Sequence, residues 1–257
     1  MNEISIDIEN VTVAYHGKTA LYGASLQLRA GTICGLVGMN GAGKSTLFKA
    51  IMGFVKPVTG KILINGLPIQ RVQKSNLVTY VPQSEEVDWN FPVSVHDVVM
   101  MGRYGYLNFL RTPRAEDKRI VRDSLERVEM WEMKDRQIGE LSGGQKKRTF
   151  FARALAQQGS ILLLDEPFAG VDIKTEKMMI NLLMELQQAG YTILISTHDL
   201  ASITTFCDRV ILINRTILAY GETAEVFTEE NLSLTFGGSI GDLSLAKSQL
   251  TQGSRGE

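Results

Sequence analysis

One glycine-rich loop does most to define the fold class of this chain: GMNGAGKS, residues 38–45. The loop fits the pattern GxxxxGK[ST] and lies between an apolar run, predicted as a strand, and a predicted helix. Its glycines let backbone amides approach phosphate oxygens, Lys44 reaches the terminal phosphates, and the Ser45 hydroxyl binds Mg²⁺. A simple glycine-rich turn is the alternative, but the spacing, the strand and the helix together favour a phosphate-binding loop.

A second phosphate-binding element is predicted at LSGGQ, residues 141–145. Two adjacent backbone amides without Cβ atoms stand there beside a hydroxyl, at the start of a predicted helix that runs to Ala156. The start of a helix attracts anions, because its first N–H groups point outward and its dipole is positive there. One phosphate loop with a second, separate phosphate-binding element is typical of an ATPase that closes around its nucleotide.

Two adjacent acids follow the apolar run 161–164. Asp165 ends this predicted strand, at the edge of the sheet where the phosphate loop also opens, and is predicted to hold Mg²⁺. Glu166 points to the other face, where it can polarise the attacking water. A solvated turn is the alternative; the two phosphate-binding motifs favour the catalytic interpretation.

The pattern of apolar residues predicts an α/β fold in three parts. Alternation at Ile4, Ile6 and Ile8 and the Asn65-Gly66 hairpin signal predict an antiparallel β subdomain early in the chain. Short apolar strands that alternate with helices then predict a mainly parallel sheet.

The third part is a helical subdomain inserted at about 94–157, where the strand signal disappears. We expect one domain over residues 1–236. A mobile tail is predicted over residues 237–257, which are rich in Gly, Ser and Gln.

Composition limits the possible partners and compartment. The 257 residues are 44% apolar and carry a net charge of −1, so the chain can bury a core but has no overall field that attracts nucleic acid. We therefore predict no nucleic-acid partner. Cys34 and Cys207 are too few for a disulfide framework and favour a reducing cytosol. No run approaches the roughly 20 apolar residues that span a bilayer, so any spanning part is expected on another polypeptide.

The order of these motifs resembles that of ABC transporter ATPases over nearly the whole chain, with the fold of that family expected here. The resemblance implies that Tyr15 stacks on adenine, that Gln83 senses Mg²⁺ and the attacking water, and that His198 contacts the γ-phosphate. Taken alone, Tyr15 is more often a core or rim aromatic, and His198 a satisfied polar residue near a turn.

The complete predicted site follows from the motifs and the resemblance together. The expected catalytic residues are Glu166, His198 and Gln83, and the expected Mg²⁺ ligands are Ser45, Gln83 and Asp165. The expected ATP-binding residues are Tyr15, Gly38, Met39, Asn40, Gly41, Ala42, Gly43, Lys44, Ser45, Thr46, Ser142, Gly143, Gly144 and Gln145.

The resemblance also implies a homodimer. In this family the LSGGQ element caps the ATP that the partner subunit binds, so a chain with one cassette must pair through its ATP sites to work. Val171-Asp172 is similar to the family's D-loop, although Ala169-Gly170 replaces the commoner serine-alanine-leucine. Lys146-Lys147-Arg148 is more basic than the usual glutamine-rich continuation, and surface charge alone would account for that difference.

The transported cargo is inferred from resemblance only. Residues 88–105 and 231–238 are similar to ATPases that serve manganese, zinc and iron importers, with manganese as the first choice. Trp89 and Phe91 are expected to anchor an integral membrane permease, the alternative being that they pack within the helical subdomain. These relationships imply a peripheral protein on the cytoplasmic face of the cell membrane, and a periplasmic or extracellular metal-binding protein as an indirect partner.

Two other classes of protein share the catalytic motifs. A soluble ABC-type ATPase of DNA repair, translation or iron-sulfur assembly is one, but no long heptad insertion, second cassette or strongly basic linker is present. An exporter ATPase is the other. The separate cassette and the segment after Gln83 favour import.

Overall fold

The computed structural model describes residues 3–73, 75–83 and 92–237. The strands are β1 (Ile4–Tyr15), β2 (Lys18–Arg29), β3 (Ile33–Val37), β4 (Thr59–Ile64), β5 (Leu67–Pro68), β6 (Val78–Val81), β7 (Ile161–Asp165), β8 (Thr192–Thr197), β9 (Arg209–Ile213) and β10 (Ile217–Glu222). The helices are α1 (Lys44–Ile51), α2 (Ile69–Val72), α3 (Val95–Met100), α4 (Ala115–Arg127), α5 (Gly143–Ala156), α6 (Ile173–Gln188), α7 (Leu200–Phe206), α8 (Thr223–Val226) and α9 (Glu229–Phe236). Across the described ranges, none of the helices has the length and apolar character needed to cross a bilayer.

The early strands form an antiparallel sheet in the order β2-β1-β4-β5. Its inner face buries alternate residues such as Ile6, which pairs with Leu28. Asn65 and Gly66, with φ of 48° and 73°, form the turn between β4 and β5. Tight hairpin turns favour this dipeptide because both central residues adopt positive φ. The predicted antiparallel element is confirmed.

A second sheet carries the site, with strand order β10-β9-β3-β8-β7-β6. Neighbouring strands from β6 to β9 pair in parallel, and β10 pairs antiparallel with β9. Every residue of β3 and β7 is buried, as expected for strands covered on both faces. In a parallel sheet the carboxyl ends meet at one edge, so the residues that follow β3, β7 and β8 converge there. The predicted α/β fold is confirmed.

Between β6 and β7 the described elements are helical. Helix α5 packs against α3 and α4 around apolar residues such as Val121 and Phe151. A buried ion pair, Arg103 Nε to Asp117 Oδ1 at 2.9 Å, joins the turn after α3 to the start of α4. The exact limits of the inserted helical part stay a prediction. So does the boundary at residue 237, because residues 238–257 lie outside the described ranges.

Candidate active site

The phosphate loop connects β3 to α1, and close packing explains its glycines. A Cβ atom on Gly38 would lie 2.3 Å from the backbone oxygen of Ile213, so a side chain cannot fit there without moving the main chain. Gly41 and Gly43 have φ of 82° and 101°, values that side chains rarely allow. The loop therefore lines a cleft at the carboxyl edge of the sheet with backbone that has no side chains at its glycines.

This cleft has a volume of about 450 Å³ and brings together most of the predicted ATP-binding and catalytic residues. Its lining residues are Tyr15, Ala20, Met39, Asn40, Gly41, Gly43, Lys44, Ser45, Thr46, Gln83, Asp165 and Glu166. Gly38 and Ala42 belong to the same loop and are buried. Tyr15 is 38% exposed, so its ring is available at the surface.

Asp165 is buried and holds three hydroxyl groups. Ser45 Oγ donates to its Oδ2 atom at 2.8 Å, and Tyr80 OH donates to the same oxygen at 3.3 Å. Ser196 Oγ donates to Oδ1 at 2.5 Å. Sequence reasoning missed Tyr80 and Ser196. They reach Asp165 only because β6 and β8 flank β7 in the sheet and place residues beside its carboxyl end, which no local sequence signal shows.

The Glu166 carboxylate lies at the centre of the predicted catalytic residues. Gln83 Nε2 donates to Glu166 Oε2 at 2.7 Å, and His198 Nδ1 lies 3.6 Å from that oxygen. Lys44 Nζ lies 4.0 Å from Oε1. Glu166 is buried, whereas the His198 side chain is 68% exposed.

The main chain at Glu166 is also held firmly. The residue adopts a φ of 48°, in the left-handed region, where the chain turns sharply out of β7. Its N–H donates to Ser196 Oγ at 3.0 Å and to the Ser196 carbonyl at 3.1 Å. Ser196 therefore binds the side-chain carboxylate of Asp165 and the backbone N–H of Glu166.

Lys44 supplies positive charge to the floor of the cleft. Its Nζ atom donates to the Gly38 carbonyl at 2.7 Å and to the Met39 carbonyl at 3.4 Å. Burial lowers the pKa of Lys44, while the carboxylates of Glu166 and Asp165 oppose this shift. The two acids therefore favour the charged form of the ammonium.

The LSGGQ element lies apart from this cleft. Ser142 caps α5 in a capping box: its Oγ accepts from Gln145 N–H at 3.3 Å, and Gln145 Oε1 accepts from Ser142 N–H at 3.0 Å. Among the residues that the structure describes, outside the backbone of α5 itself, a Cβ atom on Gly143 would meet nothing within 4 Å, and one on Gly144 would meet only Asp172 Oδ2, at 3.8 Å. Ser142, Gly143, Gly144 and Gln145 do not line the phosphate-loop cleft.

Trp89 and Phe91, expected as permease anchors, lie outside the described residues, as does Gly238 at the end of the segment 231–238. The remainder of that segment forms most of α9 and is capped at its start by Thr228, whose Oγ1 accepts from Asn231 N–H at 3.2 Å.

The sequence pattern that defines the ABC transporter family matches residues 21–169, which include the phosphate loop, Gln83, the LSGGQ element and both acids. The chain belongs to the ABC transporter family. It is therefore an ABC-type ATPase.

Named relatives extend the match over nearly the whole chain. The manganese transport system ATP-binding protein MntA of Synechocystis sp. is 64% identical over 93% of this chain and 92% of its own. The chelated iron transport system membrane protein YfeB of Yersinia pestis is 59% identical over 95% of this chain and 82% of its own. Among solved structures, cbiO1 of Clostridium perfringens, part of the ABC transporter complex cbiONQ, has a TM-score of 0.75 at 29% identity and covers 97% of this chain and 99% of its own.

Proposed function

We propose that this protein is the ATP-hydrolysing subunit of an ABC importer for a divalent metal ion, with manganese as the first choice and zinc or iron as alternatives. The observation that carries the ATPase part is the Glu166 carboxylate, which contacts Gln83 and faces both Lys44 and His198. The metal part rests on the high identity to relatives named for manganese and chelated iron transport.

The cleft residues suggest how ATP is held. The amides of the phosphate loop bind the phosphate oxygens, Lys44 neutralises the terminal phosphates, and Tyr15 stacks on the adenine. Ser45, Gln83 and Asp165 would hold Mg²⁺, and their oxygen atoms suit this hard cation. The 2.8 Å contact between Ser45 Oγ and Asp165 Oδ2 supports this assignment, because it brings two such oxygens together. When bound, Mg²⁺ neutralises charge on the phosphates.

Glu166 acts as the general base. Its carboxylate takes a proton from the attacking water as the water oxygen bonds to the γ-phosphorus, and the bond from that phosphorus to the bridging oxygen breaks as ADP leaves. Gln83 fixes the carboxylate through the 2.7 Å hydrogen bond to Oε2. His198, whose exposed side chain lies 3.6 Å from Glu166 Oε2, contacts the γ-phosphate.

Two subunits complete each site. The start of α5 is separate from the cleft of its own chain, so Ser142, Gly143 and Gly144 are assigned to the ATP of a second copy. This arrangement gives a two-fold homodimer that buries two ATP molecules. Binding closes the dimer and hydrolysis opens it.

An exposed aromatic surface supports a permease partner. It consists of Phe54 and Tyr106, which are 63% and 40% exposed. Phe54 and Gln157 line one small cleft, and Tyr106 OH donates to the Gln157 carbonyl at 2.8 Å. Exposed aromatic rings are typical anchors of protein interfaces. We assign this surface, on the cytoplasmic side of the membrane, to the permease, which receives metal from a periplasmic or extracellular binding protein.

The catalytic assignment is tested by Glu166→Gln. Loss of a general base lowers rates by about 10² to 10⁴, so hydrolysis should fall by that factor while ATP binding is retained. The variant should accumulate as an ATP-bound dimer in size-exclusion chromatography. Normal turnover in the variant would contradict the assignment of Glu166.

The transport assignment is tested by copurification from membranes and by uptake. We expect a spanning partner to copurify, and expect ATP-dependent manganese uptake into vesicles that contain it only when this subunit is added. Zinc or iron uptake without manganese uptake would change the assigned cargo to that metal. Absence of any membrane partner would favour a soluble ABC ATPase instead.

A further inference from the structure

Lys147 lies on α5, one turn after Gly143, and its ammonium group reaches two backbone carbonyls of the site. Its Nζ atom donates to the Glu166 carbonyl at 3.1 Å and to the Gln83 carbonyl at 3.4 Å. Surface charge therefore does not account for this residue. Residues four apart share one face of a helix, so Gly143 and Lys147 point to the same side of α5.

These contacts join three separate segments of the chain. Gln83 also donates to the Glu166 carboxylate at 2.7 Å, so a closed set of hydrogen bonds links the helix, the segment after β6 and the end of β7. Glu166 N–H donates to Ser196 Oγ at 3.0 Å. Lys147 Nζ donates to the Glu166 carbonyl, so both main-chain polar groups of Glu166 are hydrogen-bonded.

The surroundings of Lys147 explain why these hydrogen bonds persist. The residue lines a cavity of about 290 Å³ together with apolar side chains, among them Val81, Phe150 and Met179. Burial lowers the pKa of Lys147, and the carboxylates of Glu166 and Asp165 oppose this shift. A partly buried ammonium needs acceptors, and hydrogen bonds to charged groups are stronger than neutral ones.

We propose that Lys147 is a positioning residue that fixes the backbone of Glu166 and of Gln83 relative to α5. The proposal rests on the assignment of Glu166 as the base. The helix that starts at LSGGQ thereby moves together with the catalytic carboxylate of its own chain. When Gly143 contacts the partner subunit's ATP, any movement of α5 then changes the position of Glu166 relative to the ATP of its own chain.

The test compares Lys147→Met, which removes the donor, with Lys147→Arg, which keeps a charged donor and has space in the adjoining cavity. Loss of a charged hydrogen bond predicts a kcat for ATP hydrolysis about tenfold lower in Lys147→Met. KM and the Kd for ATP should not change, and Lys147→Arg should recover most of the rate. Lys118→Met, an exposed position on α4, is the matched control and should behave as wild type.

A double-mutant cycle with Glu166→Gln separates positioning from general damage. If Lys147 acts through Glu166, Lys147→Met should cause no further loss in single-turnover hydrolysis once the base is absent. The same tenfold loss in both backgrounds would overturn the proposal, as would equal changes in kcat and KM or an unimproved Lys147→Arg variant. Failure of the base assignment is distinguishable, because Glu166→Gln alone would then hydrolyse ATP normally.

Discussion

The two phosphate-binding elements of this chain use glycine for different reasons. In the phosphate loop, Gly38 has no space for a side chain, because the carbonyl of Ile213 would lie 2.3 Å from its Cβ atom. At the start of α5, a Cβ atom on Gly143 or Gly144 would meet almost nothing among the described residues. The first element is shaped by the fold that contains it. At the second element, the described part of the chain leaves open space beside Gly143 and Gly144, as expected of a surface that binds another molecule.

The strongest test of this difference is Gly38→Ala. Forcing a methyl group against the main chain of Ile213 should lower the free energy of unfolding by about 3 kcal/mol. It should also weaken ATP binding, because the loop must shift. Urea unfolding and nucleotide titration measure the two effects. Gly35→Ala is the control: the nearest atoms to its Cβ would be those of the Ile203 side chain, from 3.1 Å, and not main chain, so stability should fall less and ATP binding should persist.

Gly144→Ala should separate stability from activity. The added methyl group fits within the chain and improves helix propensity, so the free energy of unfolding should stay the same or rise by about 0.5 kcal/mol. Crowding of the partner subunit's ATP should still lower hydrolysis roughly tenfold to a hundredfold. The Kd for ATP should not change. Equal losses of binding and hydrolysis would show that the LSGGQ element does not act across subunits.

The smallest effect is expected for Ser142→Ala, which removes the cap of α5 and should lower stability by about 1 kcal/mol. Ser94→Ala is matched to it, because Ser94 Oγ caps α3 by accepting from Asp97 N–H at 3.1 Å. Both variants should lose similar stability in thermal unfolding, and only Ser142→Ala should lose ATPase activity. A similar loss of ATPase activity in Ser142→Ala and Ser94→Ala would show that Ser142 acts only as a helix cap.

Local patterns were sufficient to predict the fold and the cleft. The alternation in β1, the Asn65-Gly66 turn and the apolar strands each depend on neighbours in sequence, and the structure contains all of them. Gly41, Lys44 and Ser45 could be predicted to lie together for the same reason, because one short loop contains the complete pattern, and all three line the cleft. The separation of LSGGQ from this cleft agrees with the expected role in a dimer, which stays a prediction.

Contacts between distant segments were beyond local patterns. Tyr80, Lys147 and Ser196 reach the acids only because sheet order and helix packing bring them close. A polar residue at a strand end is common, and nothing in its immediate sequence says which carboxylate it faces. Lys147 was the hardest of the three, since a lysine on a helix is usually solvated.

The φ of 48° at Glu166 has a consequence for attempts to engineer a more heat-resistant variant. A non-glycine residue in this region carries a conformational cost of about 1 to 3 kcal/mol, and relief of such a cost is a standard route to thermostability. Replacing Glu166 with glycine would relieve it and remove the proposed base in the same step. Screens that select on melting temperature alone would therefore favour an inert protein at this position.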